Sequence, residues 1–365
     1  MIFADVLVEI IGGEEKFSND EDVSEKDVVS SIITQPGGLI DFGAHYPQAA
    51  SFHNWSITRA FYWQGHLFAL KKFDEACHIT NSICFALVRK GYKQIAKEML
   101  VRNTMVTDGL QRAVAIVNLA TILREEQDHK GAQRLYRRAL PSLVRLRALP
   151  QLAGVFSEMS NIYRDRGHLR RAIVLQHLSG LIRSYLKDLK GEAICNNQLS
   201  ILYRSLRFRK RALKYSRAAE SYWRIAEDEV NLAKTLITQG NIYFHMRQPG
   251  NALLCFEESQ EINDRIENFG ELASSLAGKA RAYMQLGKHS QAKPLLEQAI
   301  SLRKRYGDKR IGIEYENMGV LYEEQGNFAL ALGWYQKALP LLEMYQPVFA
   351  PRCRHKIKSL QRRLK

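Results

Sequence analysis

Apolar and small residues recur along this chain with one long period. Anchors fall at Leu123, Tyr163, Tyr203, Tyr243, Tyr283 and Tyr322, in steps of 40, 40, 40, 40 and 39 residues. Three before each anchor stands a small residue: Ala120, Ser160, Ser200, Gly240, Ala280 and Gly319. Nine after it stands alanine every time: Ala132, Ala172, Ala212, Ala252, Ala292 and Ala331. Sixteen after it come Ala139, Ser179, Ala219, Ser259, Ala299 and Ala338. Apolar residues seven and four before most anchors, such as Phe156 and Met159 before Tyr163, complete an i, i+3, i+7 stripe. Each period therefore predicts two antiparallel amphipathic helices, and the repetition predicts a stack of such hairpins rather than one closed core.

The small positions have a steric cause. Two helices approach closely only where one presents no bulk, and Gly, Ala or Ser leaves room for a ring opposite. The breaks are regular too. Gly167, Gly287 and Gly326 lie four after their anchors, where a helix end favours a left-handed residue. Pro249-Gly250 is expected to break the chain in the same way, and Pro294 to sit in the first turn of its second helix. Gln127, Arg207 and Arg247 replace the turn glycine, which predicts tighter or helical turns at those places.

These positions resemble the tetratricopeptide repeat. The 40-residue period is similar to the longer-helix subgroup of Pins-type G-protein signalling modulators, kinesin light chains and bacterial peptide-sensing regulators. The resemblance covers roughly residues 114–346. It implies an all-α, right-handed α-α superhelix whose first helices line a concave groove. It also implies an interaction protein, since the family shares architecture and differs in cargo. Four segments follow: an acidic N-terminal cap over 1–50, a degenerate first repeat with an inserted helix over 51–113, six repeats over 114–346, and a basic capping helix over 347–365. Within the second segment, Phe73-Asp74-Glu75-Ala76 reads as the start of a second helix. Trp55, Phe61, Tyr62, Trp63 and Phe68 read as core and capping. In the last segment, Ile357, Leu360 and Leu364 share one helix face.

Charge changes the picture. The chain of 365 residues carries a formal net charge of +15, unevenly spread. Residues 1–50 hold two basic and ten acidic side chains, whereas residues 124–217 hold 21 basic and seven acidic. The acidic segment could fold onto the basic repeats and mask them, which would make the chain the sensor arm of a multi-protein switch. The first eleven residues lack the basic start of a signal peptide and are too short to span a bilayer. Five cysteines without a CxxC pair read as buried thiols of a cytoplasmic protein. No GxxxxGK[ST] loop, GxSxG elbow or HExxH pair occurs, so a non-enzymatic protein without cofactor or metal is expected.

The candidate binding chemistry lies off the packing stripe of the first helices. One after the anchor come Arg124, Arg164 and Arg204, and two before Tyr283 comes Arg281. Asn118, Asn161, Asn197, Asn241 and Asn317 recur nearby. Arginine pairs with carboxylates through two parallel hydrogen bonds, and asparagine offers both a donor and an acceptor to a peptide backbone. The resemblance implies the same role for these asparagines. Glu316, Glu323 and Glu324 are expected to make the last unit of the groove acidic. The expected partner is another protein, bound through an extended acidic-rich segment. Nucleic acid is a rival partner, because Arg134, Arg137, Arg138, Arg170, Arg171, Arg209, Lys210 and Arg211 fall on second helices or turns. No base-stacking aromatics are spaced along that surface.

Overall fold

The computed structural model describes residues 64–65 and 67–364. From Phe73 onward the described chain is fifteen α-helices with no strand. It divides into two compact units, one up to Ile182 and one from Arg183. In the first unit, α1 (Phe73–Arg89) pairs with α2 (Lys93–Val106), and α3 (Gly109–Glu125) with α4 (His129–Arg145). There too, α5 (Leu149–Asp165) is tied to α6 (Leu169–Tyr185) by the Ser160 hydroxyl, which donates to the Ala172 carbonyl at 2.8 Å. In the second unit, α7 (Leu189–Ser205) pairs with α8 (Arg209–Ile225), and α9 (Glu229–His245) with α10 (Pro249–Arg265). The hairpins of α11 (Phe269–Gln285) with α12 (His289–Arg305) and α13 (Ile311–Glu324) with α14 (Phe328–Tyr345) follow, and α15 (Ala350–Arg363) packs on α14. Inside each unit, successive first helices also touch, as α9 touches α11.

The repeated small residues are what let the helices close up. All six alanines nine after the anchors have no exposed surface, and neither have the six small residues sixteen after them. At two of the small positions three before the anchors, rings fill the space left. A Cβ on Gly240 would lie 2.7 Å from the Phe256 ring, and one on Gly319 would lie 2.9 Å from the Tyr335 ring. Trp223, Tyr136, Tyr335, Phe156 and Phe256 are the bulkiest fully buried side chains. Asp128, Asp188, Asp228 and Asn327 cap helix starts by accepting a backbone N–H three residues on, at 2.8–3.3 Å.

Several expectations are corrected. Gln127, Arg207 and Arg247 do not tighten their turns. Their φ values of 70°, 63° and 60° keep the left-handed conformation, because each turn still hands a following N–H back to the anchor's carbonyl. The Gln248 N–H, for example, meets the Tyr243 carbonyl at 3.0 Å. Pro249 and Gly250 are not the break either; they open α10, and Arg247 makes the turn before it. Pro294 lies inside α12 rather than in its first turn, as Pro141 and Pro340 lie inside α4 and α14. Leu364 falls beyond α15 and is exposed, while Cys353, Ile357 and Leu360 form the buried face.

Phe73–Arg89, read from sequence as a second helix, packs as a first helix: it pairs with α2 and also contacts α3. The register then runs Cys84, Leu87, Ala96 and Asn103, all but Leu87 at the small positions, and all four fully buried. Because α2 has 14 residues where α4 has 17, this unit is short, and a search at 40 misses it. The expectations for residues 1–50 and for Trp55, Phe61, Tyr62 and Trp63 lie outside the described residues. Phe68 is described; the Arg102 guanidinium stacks 3.8 Å from its ring centroid. No helix among the described residues is long and apolar enough to cross a membrane.

Candidate peptide-binding surface

In the first unit the off-stripe residues are already engaged with the protein. Asn118 donates from Nδ2 to the Asn81 carbonyl at 3.3 Å, a bridge from α3 to α1. Arg124 on α3 forms an ion pair at 2.7 Å with Glu158 on α5. Arg164 reaches Asp165 beside it at 3.0 Å. Asn161 is half-buried on α5. Both arginines of this unit therefore face carboxylates of their own chain, and a visiting acid would have to displace them.

The second unit differs. Arg281 on α11 donates to Asn241 Oδ1 on α9, and its guanidinium lies 5.0 Å from the centroid of the Phe244 ring. Among the described residues, no carboxylate pairs with Arg281 or with Arg204 on α7. Desolvation lowers the pKa of both arginines, that of Arg281 to about 10, and the charge of Arg204 pushes Arg281 further down. His245, two residues after the Tyr243 anchor, shares this environment. Its pKa is pushed down to about 4, first by desolvation and then by Arg204, Arg281, Arg209 and Arg352. Its ring nonetheless remains open to solvent. Just beyond it, Arg207, Phe208, Arg209, Lys210, Arg211 and Met246 line a cleft of about 500 Å³ at the α7–α8 turn.

Two further candidates show unmet hydrogen-bonding capacity. Asn197 has a buried amide oxygen, and Asn317 a buried amide nitrogen, without a partner among the described residues. Asn241 and Arg281 are thus joined across α9 and α11, whereas Asn118, Arg124 and Arg164 are engaged with partners of the first unit.

The last unit is not the acidic end that its sequence suggests. Glu316 is buried and meets Arg352 of α15 at 2.8 Å. Glu323 meets Lys356 at 2.9 Å and accepts from the Tyr335 hydroxyl at 2.8 Å. Glu324 lies 3.7 Å from His289. The basic helix α15 lies against α14, and its cations neutralise two of these carboxylates. His245, Phe244 and Arg352 were missed as site residues by sequence reasoning. His245 did carry a signal, since it occupies an off-stripe position of its unit, but a lone histidine there reads as a solvated side chain until the arginines are placed around it.

Residues 271–344 match the tetratricopeptide repeat family. No curated protein matches the chain. Among solved structures it is similar to a signal-transduction ATPase of the STAND type with a tetratricopeptide repeat sensor from Pyrococcus horikoshii. That match has a TM-score of 0.61 at 12% identity, over 98% of this chain and 54% of that one. It is also similar to the apo form of the quorum sensor NprR from B. thuringiensis, with a TM-score of 0.56 at 15% identity, over 92% of this chain and 99% of that one. A Rap protein complexed with competence and sporulation factor gives a TM-score of 0.55 at 12% identity, over 87% of this chain and 98% of that one. At these identities the likeness is one of fold.

Proposed function

Because the chain carries tetratricopeptide repeats on an all-helical stack, we propose that it is a non-enzymatic interaction module. It takes an extended, acidic-rich segment of another protein along the first helices of its second unit. One observation carries this reading: Arg204 and Arg281 are partly withdrawn from water, and among the described residues no carboxylate is paired with either. Charges held in that way are costly unless an opposite charge arrives, so the site favours an acidic visitor. Asn197 and Asn241, both half-buried, add amide groups at which a peptide backbone can pair, whereas Asn317 is buried within α13. Fold relatives that act as sensors, NprR and the sensor of the STAND protein among them, are consistent with a binding role.

The test is fluorescence anisotropy with a labelled oligoglutamate peptide. Replacing Arg204 and Arg281 together by glutamate should weaken binding by at least about tenfold, since charge pairs in a desolvated site are strong. The pair Arg124→Glu and Arg164→Glu should weaken it far less. Equal losses from both pairs, or no binding of the peptide at all, would reject the reading.

A second reading rests on the exposure of Arg134, Arg137 and Arg138 on α4 and of Arg170 and Arg171 on α6. These five guanidiniums of the first unit could contact phosphates of a nucleic acid. Such binding would fall steeply with salt. A gel shift that shows no complex even at low salt removes it.

A further inference from the structure

The cleft at the α7–α8 turn brings charge and an aromatic ring into one cavity. Five consecutive residues wrap one side of it: Arg207, Phe208, Arg209, Lys210 and Arg211. Met246, at the end of α9, closes the other side, and the space between them is about 500 Å³. The turn itself gathers these residues. Arg207 is left-handed, with φ of 63°, so the chain reverses there. The Phe208 N–H donates to the Tyr203 carbonyl at 2.9 Å, and the Arg209 N–H donates to the Arg207 carbonyl at 3.0 Å, which pins the reversal.

Ring contacts hold the wall of the cleft in shape. Phe208 and Tyr203 meet edge to face, with 6.4 Å between centroids. The Arg211 guanidinium lies 5.7 Å from the Phe208 centroid and 5.9 Å from that of Tyr203. Tyr203 in turn stacks on Tyr215 at 5.4 Å. Phe208 is thus held by its neighbours, yet it remains 52% exposed. The four cations are exposed as well, and among the described residues no carboxylate pairs with any of them. Like charges crowded on one cavity repel one another, and a compact polyanion relieves them.

The proportions of the cleft discriminate among anions. An acidic peptide spreads its carboxylates along a chain, whereas these four charges surround one space. A single nucleic-acid strand stacks successive bases on successive rings, whereas one exposed ring lines this cleft. A nucleoside polyphosphate has one base and one short run of charge. Its base suits an aromatic face, and its phosphates suit guanidinium and ammonium groups.

We propose that the α7–α8 cleft binds a nucleoside polyphosphate, with the base against Phe208 and Met246 and the phosphates among Arg207, Arg209, Lys210 and Arg211. This site is separate from the peptide reading, which rests on Arg204 and Arg281.

The test is isothermal titration calorimetry on the whole chain, with ATP, inorganic triphosphate and adenosine titrated separately. ATP should bind at a single site. Inorganic triphosphate should bind at least about tenfold more weakly, because it lacks the stacked base, and adenosine should bind more weakly still. Phe208→Ala should weaken ATP by a similar factor and leave triphosphate unchanged. Phe208→Leu keeps an apolar side chain without the flat face, and it serves as the second variant if the first perturbs helical content. Arg209→Gln with Arg211→Gln should weaken both ATP and triphosphate. Lys288→Gln, which removes an exposed cation from another turn of the same unit, should change nothing. No binding of ATP, triphosphate binding as tightly as ATP, or indifference to both Phe208 variants would overturn the site. Displacement of ATP by an equal concentration of oligoglutamate would also overturn it, by making the cleft part of the acidic-peptide surface. ATP binding without oligoglutamate binding sinks only the acidic-peptide reading, and the converse sinks only the nucleotide site.

Discussion

The Phe256 ring fills the gap left by Gly240, with ring carbons 2.7 Å from where a Cβ would stand. Gly278, on the next first helix, closes on the same ring carbons. Phe256 is fully buried and so has nowhere to retreat. Gly240→Ala should therefore destabilise the second unit by about 1–3 kcal/mol, the usual cost of overpacking. A drop of several degrees in Tm checks this. Pairing it with Phe256→Leu should cost less than the sum of the two single changes, since the smaller side chain makes room for the new methyl.

Arg247 occupies a left-handed turn with φ of 60°, where a Cβ is unwelcome. Its unit otherwise follows the glycine pattern seen at Gly167 and Gly287. Arg247→Gly should raise stability by on the order of 0.5 kcal/mol, the relief of strain exceeding the added chain entropy of glycine. Denaturant unfolding at constant m-value is the check; a loss of stability would show that the arginine side chain contributes more than its backbone costs.

The repeat architecture was legible because its cause is local and periodic. Gly240 must be small where the Phe256 ring crosses it, and Ala252 and its equivalents in every unit are fully buried, so the spacing writes the packing into the sequence. The unit built on Leu87 escaped notice because a shortened α2 broke the period. The turns at Gln127, Arg207 and Arg247 were misread for another reason. Hydrogen bonding back to the anchor carbonyl holds the left-handed shape even without glycine, and no residue type announces it. The site was half legible. Arg204, Asn241 and Arg281 stood in the right register, but register says nothing about which arginine finds an acid. Arg124 meets Glu158 from a neighbouring helix, Arg204 meets no acid among the described residues, and that contrast comes from packing.

Glu316 is 1% exposed and depends on Arg352 of α15 for its countercharge. Arg352→Ala leaves that carboxylate buried and alone. Discounted for the exposure of the arginine, the loss should be about 2 kcal/mol. Hydrogen exchange should show α15 losing protection before the hairpins do. Arg354→Ala, which removes an exposed pair with Glu343, should have little effect.

His245 gives the second unit a pH response of definite sign. Its folded pKa of about 4 lies below the ordinary 6.5, so the unfolded chain takes up the proton first as pH falls. The stability it contributes is full above pH 6.5 and is lost as the pH falls toward 4. Solvent at the exposed ring makes the slope shallow. His245→Gln should flatten this part of the stability profile measured by urea unfolding; an unchanged profile would mean that neither desolvation nor the arginines hold the ring neutral.

The central claim is that Arg204 and Arg281 are open to an incoming acid while Arg124 and Arg164 are already taken. The most direct measurement follows the arginine Nε–H resonances of the whole chain as oligoglutamate is added. Arg204 and Arg281 should shift in a saturable way, and Arg124 and Arg164 should stay in place. Shifts at Arg124 and Arg164 alone, with Arg204 and Arg281 unmoved, would contradict the account.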